Sequence, residues 1–267
     1  MADKAISTRS HLTLLSDFGD RDVYVGVMKG IIDQINPEIR VIDLTHQIPP
    51  QNIVAARFCL MNAYPYFPDG TVHIAVVDPG VGGNRRAIAV EFAGGFLVGP
   101  DNGIFSGVLS QTPAVAAVEL TNPDYWLTPQ PSRTFHGRDI FAPVGANLAS
   151  GVPLNYLGKE INPTTLLQLG MGKCQTTSRG VLGHIQYIDH FGNLISNIHQ
   201  SCVEGKTWYV QIAGLTIPGC ETYSNCQVGE AVALVGSHGW VEIAINGGNA
   251  HSQLQISYQD TLEVINY

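Results

Sequence analysis

Apolar residues fall in two rhythms along this chain, and the change comes near residue 178. Up to about residue 150, short apolar runs alternate with stretches whose apolar positions recur every three or four residues. LTLLSD (12–17) is a run of the first kind. Tyr24, Val27, Met28, Ile31 and Ile35 follow it at helical spacing, and Asn36-Pro37 ends that helix. RVIDLTH (40–46) predicts the next strand. Val54, Ala55, Phe58 and Met61 mark one face of a second helix ending near Tyr64-Pro65, and TVHIAVVD (71–78) predicts a third strand. AIAVEF and FLVG, on either side of Ala93-Gly94-Gly95, predict a hairpin. Two further helices are expected over 104–111 and 139–150, with VAAVELT between them. Strands alternating with helices predict a mostly parallel sheet covered on both faces.

Beyond residue 178 the pattern is RGVLGHIQYID, TWYVQIAG, AVALVGS, WVEIAIN, LQISY and TLEVIN, short β-branched runs separated by Gly, Pro, Asn or Asp. No helical period of useful length is present, so an antiparallel β-domain is expected. The chain is therefore read as α/β. An N-terminal mostly parallel α/β sandwich domain spans residues 1–157, a polar, Pro-containing linker spans 158–178, and a C-terminal antiparallel β-barrel-like domain spans 179–267.

Composition narrows the partners. The 267 residues are 45% hydrophobic, enough for one large or two modest cores. Net charge is −8, and no cluster of Lys or Arg is longer than a pair. A nucleic-acid or anionic-membrane surface is thus not expected as the main partner, whereas a small cationic ligand is compatible. The five cysteines are odd in number, scattered, and never spaced Cys-x-x-Cys, which predicts free thiols in a reducing compartment. The start, MADKAISTRSHLTLL, lacks the apolar run and cleavage site of a signal peptide. No segment approaches the roughly 18 apolar residues of a membrane span. A cytoplasmic protein is expected.

Only 13% of residues are charged, so polar groups at strand ends attract notice. Asp17 ends the first strand, His46 follows the second and Asp78 ends the third. In open α/β sheets ligands bind at the carboxyl ends of the strands. Asp17 could cap the following helix or accept hydrogen bonds from both hydroxyls of a vicinal diol such as a ribose. VVDPGVGGNRR (76–86) places Asp78 and the pair Arg85-Arg86 on two sides of a glycine turn, as a structural ion pair or as an acceptor and a cation on opposite sides of one water. His136, in TFHGRD (134–139), would complete a set able to hold, polarise and deprotonate that water. In YIDHFGNLISNI (187–198), Asp189, Phe191 and Asn193 supply an anion, an aromatic face and an amide from one loop, which is either a hairpin turn or a cradle for a flat, charged ligand. Ser237-His238-Gly239-Trp240 is a similar polar and aromatic loop.

Taken together, LTLLSDFGDRDVYVGVMKG, VVDPGVG…RR, GPDNGIF, TFHGRDIFAP, YIDHFGN and GSHGWVEIAINGGNA resemble the S-adenosyl-L-methionine hydroxide adenosyltransferase family, relatives of the fluorinases and chlorinases. The motifs run in order from about residue 12 to residue 265. The resemblance implies a homotrimer whose sites lie between one subunit's N-terminal domain and its neighbour's C-terminal domain. It also implies a reaction, attack of water or hydroxide on the ribose C5′ of S-adenosylmethionine to give adenosine and L-methionine, with no cofactor and no metal. By the same resemblance the catalytic set is Asp78, Arg85 and His136, with Arg86 as the alternative arginine. Asp17 would bind the ribose, Asp189 the methionine ammonium, Phe191 and Asn193 the purine, and Ser237 the methionine carboxylate. The halogenating relatives carry tyrosine at Asp78 and arginine at His238, and the fluorinase has serine at Gly137 and tryptophan at Gln51. A carboxylate at Asp78 repels a halide, so halogenation is not expected.

Two other readings compete. Metal-assisted hydrolysis could use Asp17, Asp20, His46, Asp78 and His136, although their spacing matches no ligand pattern. A non-catalytic S-adenosylmethionine sensor would need the nucleoside cradle without the water set, and Asp78, Arg85 and His136 together speak against it.

Overall fold

The computed structural model describes residues 10–170 and 172–266. Residues 1–9, on which part of the leader expectation rests, lie outside the described residues. The chain divides into two compact units, residues 1–169 and 170–267.

In the first unit the elements are β1 (His11–Ser16), α1 (Tyr24–Ile35), β2 (Arg40–Thr45), α2 (Ile53–Ala63), β3 (Thr71–Val76), β4 (Ala87–Phe92), β5 (Gly95–Pro100), α3 (Ser106–Gln111), β6 (Ala114–Glu119), α4 (Ala142–Ala149) and β7 (Lys159–Glu160). They form one seven-stranded sheet in the order β2-β1-β3-β5-β4-β6-β7. β2, β1, β3 and β5 pair in parallel, while β4 runs antiparallel between β5 and β6 and makes the expected hairpin with β5. β1 and β3 are buried nearly throughout, as strands covered on both faces must be. Leu12, Leu14, Val72, Ile74 and Val76 face α1 and α4. The alternate residues face the other layer, where Thr13 hydrogen-bonds His73 at 2.8 Å. Burial pushes the His73 imidazolium down to about 4, so the ring is a neutral part of the core.

The order of connection positions the site. The chain moves from β1 to β2 on one side, then returns by α2 to β3 on the other side of β1. Strand order therefore reverses at β1, and the carboxyl ends of β1 and β3 flank a crevice there.

In the second unit the elements are β8 (Gln175–Thr176), β9 (Gly180–Ile188), β10 (Leu194–His199), β11 (Trp208–Ile212), β12 (Leu215–Pro218), β13 (Ala231–Val235), β14 (Trp240–Ile245), α5 (Ala250–Leu254) and β15 (Thr261–Asn266). The sheet order is β12-β11-β15-β9-β10-β14-β13, every pair antiparallel. A bridge between Gly219, just past β12, and Ala233 of β13 nearly closes it into a barrel. Inward-facing Ile185, Leu194, Val210, Val241, Ile243 and Val264 fill the interior.

Two local expectations need correction. LQISY is not a strand, and this half does contain a short helix, α5. Asn249 accepts the Ser252 amide as its cap, Gln255 ends it in the left-handed region at φ 56°, and Ile256 drops into the barrel core. Capping by the Asn after Gly247-Gly248 starts the helix at Ala250, so Leu254 falls at its last position and the left-handed Gln255 breaks the LQISY run. Segment 158–178 is also more than a bare tether, since β7 pairs with β6, Leu166 is buried, and β8 pairs with β9.

Candidate active site

Asp17 follows β1 and Asp78 follows β3, so both carboxylates stand at the reversal point. They line one cleft of about 440 Å³, shared with Phe18, Tyr24, Gln51, Phe135 and His136. Three of the residues singled out in the sequence thus meet at a single crevice, from segments up to 119 positions apart.

Behind Asp78 lies Arg85. Its Nε reaches both carboxylate oxygens at 3.0 Å and its Nη2 reaches Oδ2 at 2.5 Å. The side chains of Asp78 and Arg85 are only 5% and 11% exposed. The same Nη2 approaches His136 Nδ1 at 2.7 Å. A guanidinium only donates, so Nδ1 must accept and the ring hydrogen is assigned to Nε2. Burial, and then the adjacent Arg85 charge, push the His136 imidazolium below its usual range, against the opposing pull of Asp78 and Asp139. The guanidinium also lies 5.4 Å from the ring centroid of fully buried Phe141. Asp78 and Arg85 therefore do not stand on opposite sides of one water. They are in direct contact, because a desolvated carboxylate and a forked cation seven residues apart satisfy each other best.

Glycine makes this approach possible. Gly82 has φ of +74°, and a Cβ placed on it would lie 2.2 Å from the Arg133 carbonyl oxygen. Only a residue without a side chain lets the 79–85 turn lie against the 133–136 segment that carries His136. That segment is held from within: buried Asp139 accepts the Ser132 amide at 2.7 Å and pairs with Arg138. The helix beginning there opens with a π-turn over Gly137–Phe141, a local widening that recurs at functional sites.

Arg86 points elsewhere. It pairs with buried Asp101 at 2.5 Å and donates to the Thr165 carbonyl at 2.7 Å. Asn102, next to Asp101, donates to the Val77 carbonyl at 2.8 Å and so braces the residue before Asp78. Of the two arginines, only Arg85 has contacts with Asp78 and His136 among those described.

Asp17 does not cap α1, whose first turn follows Val23 without a side-chain cap. Its Oδ2 accepts the Gln51 amide at 2.8 Å instead, and Gln51 takes a left-handed φ of 65° to present it. Around it, Phe18, Tyr24 and Phe135 form a mutually packed aromatic wall with centroids 5.1–5.8 Å apart. Sequence reading missed this wall, because Tyr24 fits the apolar face of a helix and the two phenylalanines look like ordinary core.

The remaining candidates lie in the second unit. Asp189 shapes the β9–β10 hairpin: Oδ1 accepts the amides of Phe191 and Asn193, and Oδ2 accepts the Asn193 side-chain amide at 3.0 Å. The hairpin-turn alternative is thus physically present, and it presents Phe191 outward at 71% exposure. Ser237 is exposed on the β13–β14 turn. His238 beside it accepts the Trp240 amide and meets Glu242 at 3.1 Å.

Residues 12–158 match the SAM hydroxide adenosyltransferase N-terminal domain, and residues 183–263 match the C-terminal domain of the same name. The chain belongs to the SAM hydroxide adenosyltransferase family. Within it, a Salinispora tropica protein named (R)-S-adenosyl-L-methionine hydrolase is 39% identical, the match covering 95% of this chain and 97% of that one. A Thermus thermophilus protein of the same name is 38% identical over 90% and 93%. A fluorinase from an Actinoplanes species is more distant, at 28% identity over 88% and 90%. A crystal structure of an uncharacterized conserved protein from Thermotoga maritima superposes with a TM-score of 0.88 at 33% identity, covering 95% of this chain and 99% of that one. The SAM hydroxide adenosyltransferase match spans both units, as the order of the six motifs implied.

Proposed function

We propose that this protein hydrolyses S-adenosyl-L-methionine to adenosine and L-methionine by attack of water on the ribose C5′. The observation that carries the reading is the Asp78–Arg85–His136 set, held at the strand-reversal cleft together with Asp17. The names of the Salinispora and Thermus relatives support it.

The sulfonium is already a strong leaving group, so nothing need protonate it and no cofactor is required. The task is to place one water in line behind C5′, which can contribute about 7–11 kcal/mol in favourable cases. Asp78 accepts a hydrogen of that water, and His136 fixes its oxygen through the ring nitrogen turned away from Arg85. As the C5′–O bond forms, the C5′–S bond breaks and its electron pair stays on the methionine sulfur. The water proton passes to Asp78 and then to solvent. Arg85 holds the acceptor and the imidazole in one frame and compensates the buried carboxylate. Asp17 binds the ribose diol. Asp189, Phe191, Asn193 and Ser237 receive the ammonium, the purine and the carboxylate. Asp78 also disfavours a halide in place of water.

Cleavage in H₂¹⁸O tests this directly. One ¹⁸O is expected in the adenosine 5′-hydroxyl and none in methionine, by chromatography and mass spectrometry. Both sulfur epimers belong in the assay, since the relatives are named for the (R) form. Stoichiometric binding without product would instead favour a sensor. Undiminished turnover after exhaustive EDTA treatment would set the metal reading aside.

The nucleophile set and Asp17 lie in the first unit and Asp189, Phe191, Asn193 and Ser237 in the second, and we read the active form as a homotrimer with sites shared between neighbours. Light scattering should then give three chains. Mixing Asp78→Ala with Phe191→Ala protein should restore part of the activity that each lacks, and sites built within one chain would restore none. Among the described residues no helix is long and apolar enough to cross a membrane. No disulfide joins the cysteines among the described residues, and we read the location as cytoplasmic.

A further inference from the structure

His46 ends the second strand region and does not line the cleft, yet it is built into the turn that carries two of the cleft's walls. Its Nδ1 meets Ser16 Oγ at 2.7 Å, and its carbonyl accepts the Gly19 amide at 2.8 Å. Ser16 Oγ in turn accepts the Phe18 amide at 3.3 Å. On its far side, Nε2 lies 3.1 Å from Asp43 Oδ1, and the other Asp43 oxygen pairs with Lys29 of α1 at 2.5 Å. The Nε2 contact has the distance of an ion pair without the alignment of a hydrogen bond. A carboxylate there still favours the ring hydrogen on Nε2, leaving Nδ1 to accept from the Ser16 hydroxyl.

The order Ser16–His46–Asp43 has the composition of a nucleophilic triad. Ser16 is only 2% exposed and its oxygen is engaged by a backbone amide, so the geometry is that of a brace rather than of a nucleophile. What it braces is specific. Residues 16–19 include Asp17, aimed at the Gln51 amide, and Phe18, packed on Tyr24 and Phe135. The same string ties that turn to β2 through Asp43 and to α1 through Lys29, the helix that begins with Tyr24.

We infer that His46 is a positioning residue for the hydrolase, acting through Ser16 to hold Asp17 and Phe18 in the substrate-binding wall. The inference rests on the hydrolase reading for its kinetic effect, but its physical core is the order of residues 16–19. Losing the brace weakens ground-state and transition-state binding together, so KM rises while kcat is nearly kept.

Steady-state kinetics with S-adenosyl-L-methionine on His46→Ala, His46→Asn and Ser16→Ala, with amide hydrogen exchange at Phe18 and Gly19, tests it. KM is expected to rise about tenfold in His46→Ala and in Ser16→Ala, the scale of one lost ordering hydrogen bond. His46→Asn, whose amide reaches the place of Nδ1, should return it to within about threefold of the parent. Exchange at Phe18 and Gly19 should quicken in the alanine variants and not in His46→Asn. Were His46→Ala to misfold, Ser16→Ala carries the same test with the histidine retained. A KM change below about fivefold in a folded alanine variant, or equal impairment in His46→Asn, overturns the inference. If the parent protein cleaves no S-adenosyl-L-methionine, the hydrolase reading fails, and the exchange rates alone decide whether the brace exists.

Discussion

Asp78→Ala protein should still bind S-adenosyl-L-methionine and should release adenosine about a thousandfold more slowly. The size follows from the usual worth of a positioned proton acceptor, about 10²–10⁴ in rate, added to the loss of the group that fixes one end of the water. Binding should change little, because Asp17 and the aromatic wall of Phe18, Tyr24 and Phe135 are untouched. Asp78→Asn separates the two contributions. The amide keeps the shape and one acceptor for Arg85, but it cannot take up a proton. If orientation dominates, Asn recovers much of the rate; if proton acceptance dominates, Asn resembles Ala. Single-turnover rates and equilibrium dialysis with the same ligand read the two effects independently. Turnover within tenfold of the parent in Asp78→Ala would remove this carboxylate from the chemistry.

The parts of this site that lie at strand ends were legible from the sequence, for a physical reason. A strand buried on both faces is a continuous apolar run, so the first carboxylate after it marks both the end of the strand and the mouth of the crevice. Asp17 and Asp78 are such residues. Contacts between distant segments were not legible. Nothing in TFHGRD shows that His136 accepts from Arg85, 51 positions away. Nor could the turn show that its cation would close on Asp78 directly. Strands β10 and β12 escaped because their polar residues disguise them. In β10, Ser196 is wholly buried and donates to the Val241 carbonyl, and Asn197 accepts the His184 amide. β12 is an exposed edge strand ending in proline, where alternation gives little signal. The five-residue helix α5 (AHSQL) was hidden because it is too short to show a helical period, and its Asn249 cap decides.

The choice between the two adjacent arginines leads to the second large effect. Arg85→Met should abolish turnover per folded molecule, about a thousandfold, whereas Arg86→Met should leave it nearly unchanged. Both substitutions strand a buried carboxylate, Asp78 in one case and Asp101, 4% exposed, in the other. Both should therefore lower stability by about 3–5 kcal/mol, the typical result of breaking one partner of a buried pair. Denaturant titration measures that loss, and it alone cannot tell the arginines apart. Activity normalised to the folded fraction can, because Arg85 contacts the two groups that face the cleft, while Arg86 ties Asp101 to the 162–166 segment through Thr165. Lysine sharpens the contrast. One ammonium cannot reproduce a fork whose Nε and Nη2 grip Asp78 while Nη2 also meets His136 Nδ1. Arg85→Lys should thus keep the charge and much of the stability, yet lose about a hundredfold in rate, the scale of a misplacement of about 1 Å at the reacting centre. Equal loss of normalised activity in Arg86→Met would mean that the brace at Asp101, and not the shared Nη2, sets the geometry of the water site.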